Sequence, residues 1–168
     1  MELITRSPED TQAFGRQLGS LLRPGDVLGL VGELGSGKTT LIQGLADGLG
    51  LDAAAVRSPT FIVLREYPGR VPLIHIDGYR LEGAPSVVWL DVDWVFSNKK
   101  VTVIEWANQI EDCLPDDYLE LQLSHKSVNQ RLIRMIAHGA RSRELVKAIS
   151  GAVNSPQSTV HKKTGQEG

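Results

Sequence analysis

The segment Gly32-Glu33-Leu34-Gly35-Ser36-Gly37-Lys38-Thr39 constrains the fold of this chain more than any other. It fits the P-loop pattern, in which a glycine-rich turn wraps phosphate oxygens with its backbone N–H groups. Its surroundings agree with the pattern. Val27-Leu28-Gly29-Leu30-Val31 is a short continuous apolar run, the mark of a strand buried on both faces of a parallel sheet. Beyond the loop, Leu41, Ile42, Leu45 and Leu49 recur at helical spacing from about Lys38, and Gly48 and Gly50 mark the end of that helix. A strand feeding the loop and a helix leaving it aim the loop amides and the positive end of the helix dipole at one point.

The rest of the chain supplies the partners such a unit needs. Glu2 to Arg6 reads as a strand. Ser7-Pro8-Glu9-Asp10 reads as a helix start, with Ser7 as N-cap, Pro8 in the first turn and Asp10 as reciprocal partner. Ala13, Phe14, Leu18, Leu21 and Leu22 then form a core-facing stripe, broken by Arg23-Pro24-Gly25-Asp26. Further strands are expected over 61–64, 73–76, 101–104, 118–123 and 132–137, and a last helix over 142–149. Residues 86–96 are apolar and Trp-rich without a clean period. These elements imply a three-layer α/β P-loop NTPase domain with a partly parallel central sheet, spanning residues 1–150. From Gly151 to Gly168 almost nothing is apolar, so the reading there is a disordered tail.

Composition narrows the function classes. With 168 residues, 41% of them apolar, the chain can build one domain with a real core. Cys113 is the only cysteine, which excludes an internal disulfide and a cysteine-based zinc site. The 4 histidines lack the spacing of a helical metal site. Lys+Arg number 18 against 20 Asp+Glu, so no strong global field for nucleic acid is expected. Arg131, Arg134, Arg141, Arg143 and Lys147 make the C-terminal third locally basic. No apolar run is long enough to span a bilayer, and Met1 opens into a polar segment; the expectation is a cytoplasmic protein without membrane contact.

The loop dictates what else to look for. Lys38 would reach the β- and γ-phosphates, and the Thr39 hydroxyl would ligate Mg²⁺. An acid that holds Mg²⁺ or its water must sit at the C-terminal end of a neighbouring strand. Asp77 ends Leu73-Ile74-His75-Ile76, and Glu105 ends Val101-Thr102-Val103-Ile104, so both emerge where ligands bind in open α/β sheets. Ser58-Pro59-Thr60 lies where nucleotide switches carry a threonine that senses the γ-phosphate, although a proline turn leading into a strand explains it equally. His75 shares a strand face with Asp77 and reads as a packed core histidine. Cys113 has no activating partner near it in sequence. Asn98-Lys99-Lys100 begins like the guanine-reading loop of GTPases, but Val101 stands where its aspartate belongs, so a GTP preference is unsupported.

Four motifs occur in order: GELGSGKTT from Gly32 to Thr40, SPTF from Ser58 to Phe61, HIDGYR from His75 to Arg80, and IEW from Ile104 to Trp106. Together they resemble the TsaE family, also called YjeE, of bacterial tRNA-modification ATPases, over about residues 1–140. The resemblance implies a small MgATP-binding protein with slow hydrolysis. It would support threonylcarbamoylation of the tRNA adenosine beside the anticodon, working with the TsaB–TsaD heterodimer. Direct contact with tRNA is left open. Carried across, it implies that Gly32 and the segment Leu34, Gly35, Ser36, Gly37, Lys38, Thr39 and Thr40 bind the nucleotide, with Lys38 on the phosphates. Thr39 and Glu105 would hold Mg²⁺, Asp77 would position or polarise the attacking water, and Thr60 would be switch-like. Trp106 would sit beside the metal. The adenine would lie near the start of the first helix, at Asp10 and Thr11. Departures from the family pattern include Gly78, where an apolar residue is usual, and Ala107-Asn108, where an acid is frequent. Two rival readings remain: a P-loop small-molecule kinase, with Arg70 or Arg80 on the acceptor, and a nucleotide-gated binding module whose hydrolysis is incidental.

Overall fold

The structure is a computed structural model and describes residues 1–59, 63–81 and 91–153. Seven strands form one mixed sheet: β1 (Glu2–Thr5), β2 (Val27–Val31), β3 (Leu64–Tyr67), β4 (Leu73–Asp77), β5 (Val101–Glu105), β6 (Leu119–His125) and β7 (Arg131–Ala137). Their spatial order is β1-β7-β6-β2-β5-β4-β3. The four central strands, β6, β2, β5 and β4, are mutually parallel, and β7, β1 and β3 pair antiparallel at the two sides. This is the expected partly parallel sheet: β2 is an unbroken apolar run, and β4 and β5 are buried along their whole length even though they carry His75, Asp77, Thr102 and Glu105.

One face of the sheet carries α1 (Pro8–Gly19), α2 (Lys38–Gly48) and α4 (Ala140–Val153) over the larger core, which holds Phe14, Leu18, Leu41, Leu45, Leu145 and Ile149 against Leu28, Leu30, Val101 and Val103. Alternation along the strands sends Val27, Ile74, Ile76 and Ile104 to the opposite face. There they meet Leu81, Val95, Ala107 and Ile110 from 3-10 turns and the short helix α3 (Val92–Val95). The three layers are therefore unequal, with full helices on one side and single turns on the other.

The start of α1 forms as the sequence predicts: the Ser7 side chain accepts from the Asp10 N–H at 3.1 Å. The reciprocal bond shifts by one residue, because Asp10 Oδ2 accepts from the Arg6 N–H at 3.0 Å and not from Ser7. Of the strand expected over 61–64, Leu64 opens β3 (Leu64–Tyr67), Val63 is not part of it, and 61 and 62 lie outside the described residues. Val63 has φ +67, a left-handed backbone that no strand can run through. Residues 60–62 and 82–90 lie outside the described residues, and with them Thr60 and much of the ambiguous 86–96 stretch. The last helix runs to Val153, so Gly151 to Val153 belong to its final turn and not to a tail; the remainder of that tail lies outside the described residues. No helix among the described residues is long and apolar enough to cross a membrane.

Candidate nucleotide site

The loop between β2 and α2 takes its shape from its glycines. Gly35 and Gly37 hold φ +76 and +100, which side chains with a Cβ resist. Gly32 is required for space, since a Cβ there would stand 2.4 Å from the Leu123 carbonyl oxygen. Gly37 is the N-cap of α2 and offers no side-chain acceptor, so the first-turn amides of that helix stay open toward the loop. Ser36 is fully buried with its hydroxyl turned into the loop, 3.5 Å from Lys38 Nζ. Its backbone N–H donates to the Glu33 carbonyl at 3.1 Å.

Lys38 donates to the carbonyl oxygens of Gly32 (2.7 Å) and Glu33 (2.9 Å), and its Nζ lies 4.2 Å from the centroid of the Trp106 ring. Burial pulls the amine below the ordinary lysine range, while Glu105 and Asp77 pull it back up. Trp106 adopts φ +57, a strained backbone for an aromatic residue, and its ring packs on Tyr79 with centroids 5.2 Å apart.

Asp77 and Glu105 end adjacent parallel strands in register and both are buried. Glu105 Oε1 accepts from the Thr39 hydroxyl at 3.1 Å and lies 2.8 Å from His75 Nε2. Asp77 Oδ1 accepts from the Tyr79 N–H at 3.0 Å. Burial pushes the Asp77 carboxyl above the usual aspartate range, and the neighbouring Glu105 adds to this; the Tyr79 N–H, His75 and Arg80 oppose it. Gly78 lets the two strand ends close up, for a Cβ on it would meet the Trp106 carbonyl oxygen at 2.7 Å. In this chain the departure at Gly78 is thus matched to a backbone contact directly behind Asp77.

These groups line one open cleft of about 530 Å³, bounded by Leu34, Gly35, Gly37, Lys38, Thr39, Thr40, Ser58, Asp77, Tyr79, Glu105 and Trp106. A smaller cleft of about 110 Å³ lies beside it, sharing Gly35, Gly37 and Thr40 and adding Ser7, Pro8, Thr11, Val128, Asn129 and Arg131. Thr11 lines this smaller cleft, with its hydroxyl engaged by Thr5 and the Ser7 carbonyl. Asp10 does not line this cleft, and its carboxylate caps Arg6 instead. Val128 and Asn129 come from the β6–β7 turn and Arg131 opens β7, and no local motif in the sequence marks them as nucleotide contacts. His75 was legible only as a core residue; its position two before Asp77 on one strand face is the signal that places it beside the acids.

The donor set suits Mg²⁺ delivered with a nucleotide. Thr39 Oγ1 and the Glu105 carboxylate are hard oxygen ligands at hydrogen-bond distance. Among the described residues no cluster of three or more His, Cys, Asp or Glu could hold a metal without phosphate help. A cation that keeps several waters and shares one or two protein ligands with phosphate fits that arrangement.

A central parallel sheet whose first buried strand runs through a glycine-rich loop into a helix, with acids at the ends of the next two strands, defines the P-loop NTPase fold class. A family model described as threonylcarbamoyl adenosine biosynthesis protein TsaE matches residues 5–133. The chain belongs to the TsaE family. It is 39% identical over 147 residues to the tRNA threonylcarbamoyladenosine biosynthesis protein TsaE of Bacillus subtilis, covering 87% of this chain and 91% of that one. It is 45% identical over 114 residues to the protein of the same name from Streptomyces coelicolor, covering 66% and 76%. The crystal structure of Bacillus subtilis YdiB superposes with a TM-score of 0.77 at 34% identity, over 92% of this chain and 96% of that one.

Proposed function

We propose that this chain binds MgATP in the larger cleft and hydrolyses it slowly, in support of tRNA threonylcarbamoyladenosine formation by a TsaB–TsaD complex. The observation that carries the reading is the convergence of Lys38, Thr39, Asp77 and Glu105 on one cleft at the open N-terminus of α2. The loop amides and Lys38 cradle the β- and γ-phosphates. Lys38 is held ready by the Gly32 and Glu33 carbonyls, so little reorganisation accompanies binding. Thr39 and Glu105 hold Mg²⁺, which when bound neutralises charge on the phosphate oxygens. Asp77 orients the attacking water; its raised affinity for a proton makes it a better acceptor than an exposed aspartate. The adenine occupies the smaller cleft against Thr11 and Arg131, with Asp10 fixing the start of α1 at its edge. Thr60 acts as the switch residue that senses the γ-phosphate. The protein works in the cytoplasm, and tRNA is the substrate of the whole complex.

Steady-state ATP hydrolysis, measured alone and after adding the TsaB–TsaD pair with tRNA, tests this directly. Lys38→Ala abolishes nucleotide binding, whereas Asp77→Ala keeps binding and removes hydrolysis. Wild-type turnover by Asp77→Ala would withdraw the role given to Asp77. A rate that the partners leave unchanged would withdraw the coupling.

A further inference from the structure

His75 is fully buried on β4, on the same strand face as Asp77. Its Nε2 lies 2.8 Å from Glu105 Oε1, and its Nδ1 has no hydrogen-bond partner. A buried ring nitrogen left unpaired is a cost that an apolar side chain at the same place would avoid. The one polar contact the ring makes is therefore the feature to explain. A carboxylate oxygen can only accept, so Nε2 carries a proton and donates it to Glu105. The Tyr67 ring lies 6.4 Å away between centroids, and its own hydroxyl is tied to the Arg57 backbone. The imidazole thus has a fixed neighbour on the strand beside it.

Glu105 Oε1 receives two donors, the His75 ring and the Thr39 hydroxyl. Two donors occupy its two lone pairs, which leaves Oε2 as the oxygen available to a cation or its water. Thr39 is itself a candidate ligand. His75 is the donor on Oε1 with no other duty. We propose that His75 is a positioning residue that holds the Glu105 carboxylate in the rotation presenting Oε2 to the Mg²⁺ of a bound nucleotide. The inference rests on the reading above that Glu105 takes part in Mg²⁺ binding. Outer partners of ligating carboxylates characteristically change metal affinity by about 10–100-fold when removed.

The test is calorimetric titration of ADP, without metal and across graded MgCl₂, for the wild-type protein, His75→Phe, His75→Gln and Glu105→Ala. His75→Phe should leave metal-free ADP affinity within about twofold and raise the half-effective Mg²⁺ concentration by about 10–100-fold. His75→Gln, whose amide can still donate, should recover most of that loss. An unchanged Mg²⁺ midpoint in His75→Phe, an equal fall in metal-free affinity, or a Gln variant as impaired as Phe would overturn the inference. A Mg²⁺ effect that Glu105→Ala abolishes and His75→Phe leaves intact would overturn it alone. No Mg²⁺ effect in the wild-type protein would remove the parent reading as well. Should His75→Phe fail to fold, nitrogen-15 spectra of the wild-type histidines decide. A proton on Nε2 of His75 supports the inference, and an unprotonated Nε2 overturns it.

Discussion

Asp77 shows how one residue's role and its stability pull in opposite directions. Its carboxyl is buried against Glu105, and its proton affinity is raised mainly for that reason. A carboxyl that binds its proton more tightly when folded stabilises the fold below the unfolded-state value near 3.8, and that contribution is lost as pH rises through the higher folded-state value. At neutral pH the metal-free native protein therefore carries a carboxylate it would be more stable without. Asp77→Asn should raise the melting temperature at pH 8, and the gain should shrink steadily as pH falls toward the ordinary aspartate range. Thermal unfolding across pH checks this, and a gain that grows on acidification would contradict it. The Tyr79 N–H limits the penalty, since it already supplies one donor to the carboxylate at 3.0 Å.

The element that sets the geometry of the site is the pair α1 and α2, which cross with almost no side-chain spacing. A Cβ on Gly15 would lie 2.5 Å from the Leu41 carbonyl oxygen, on Gly19 2.3 Å from that of Leu45, and on Gly44 2.2 Å from that of Gln12. The backbones touch, and no flexible side chain stands between them to give way. In an isolated helix Gly→Ala gains about 0.5–1 kcal/mol. Overpacking of a tight contact costs about 1–3 kcal/mol, and here the obstacle is backbone. Gly44→Ala should therefore lower stability by about 1–2 kcal/mol in urea denaturation. Nucleotide affinity should weaken too, because α2 begins at Lys38 and moves with the contact. A stabilised Gly44→Ala would show that the helices are free to separate.

The same elements measure what the sequence can disclose. The strand–loop–helix around Lys38 was legible because each part carries a local signal: an unbroken apolar run, glycines where positive φ is needed, and a helical stripe. The acids at the ends of β4 and β5 were legible from position alone, since a strand's last residue in a parallel sheet emerges at the ligand edge. What stayed hidden depends on pairing across the sheet. Nothing within HIDGYR states that His75 meets Glu105, because the contact exists only once β4 and β5 are in register. The extent of β3 is hidden for a converse reason: the apolar run points to 61–64, while beyond the left-handed Val63 the strand continues through the half-exposed edge residues Arg65 and Glu66 to Tyr67.

At the scale of the whole molecule, the last described helix is pinned to the strand that feeds the loop. Arg141, at the start of α4, donates through Nε and Nη2 to the two carboxylate oxygens of Asp26, each at 2.8 Å, and Nη2 also reaches the Leu21 carbonyl at 3.0 Å. Asp26 immediately precedes β2, and its side chain is only 4% exposed against 27% for Arg141. Asp117 fixes the same helix start, accepting from the Arg141 and Ser142 N–H groups at 2.7 and 3.0 Å. The two acids act on one helix turn from the segments that lead into β2 and β6, and α4 docks Leu145 and Ile149 into the main core. An exposed ion pair would be worth under about 1 kcal/mol, but removing one partner of a buried pair strands a charge and costs about 3–5 kcal/mol. Asp26 keeps a donor in the Arg23 N–H at 2.8 Å, which places Arg141→Met near the lower limit, about 3 kcal/mol. Asp26→Asn in the same chain removes the stranded charge and should restore more than half of that loss. Urea denaturation of both singles and the double variant closes the cycle. Single losses under about 1 kcal/mol that simply add in the double would mean that the pair is worth no more than an exposed one.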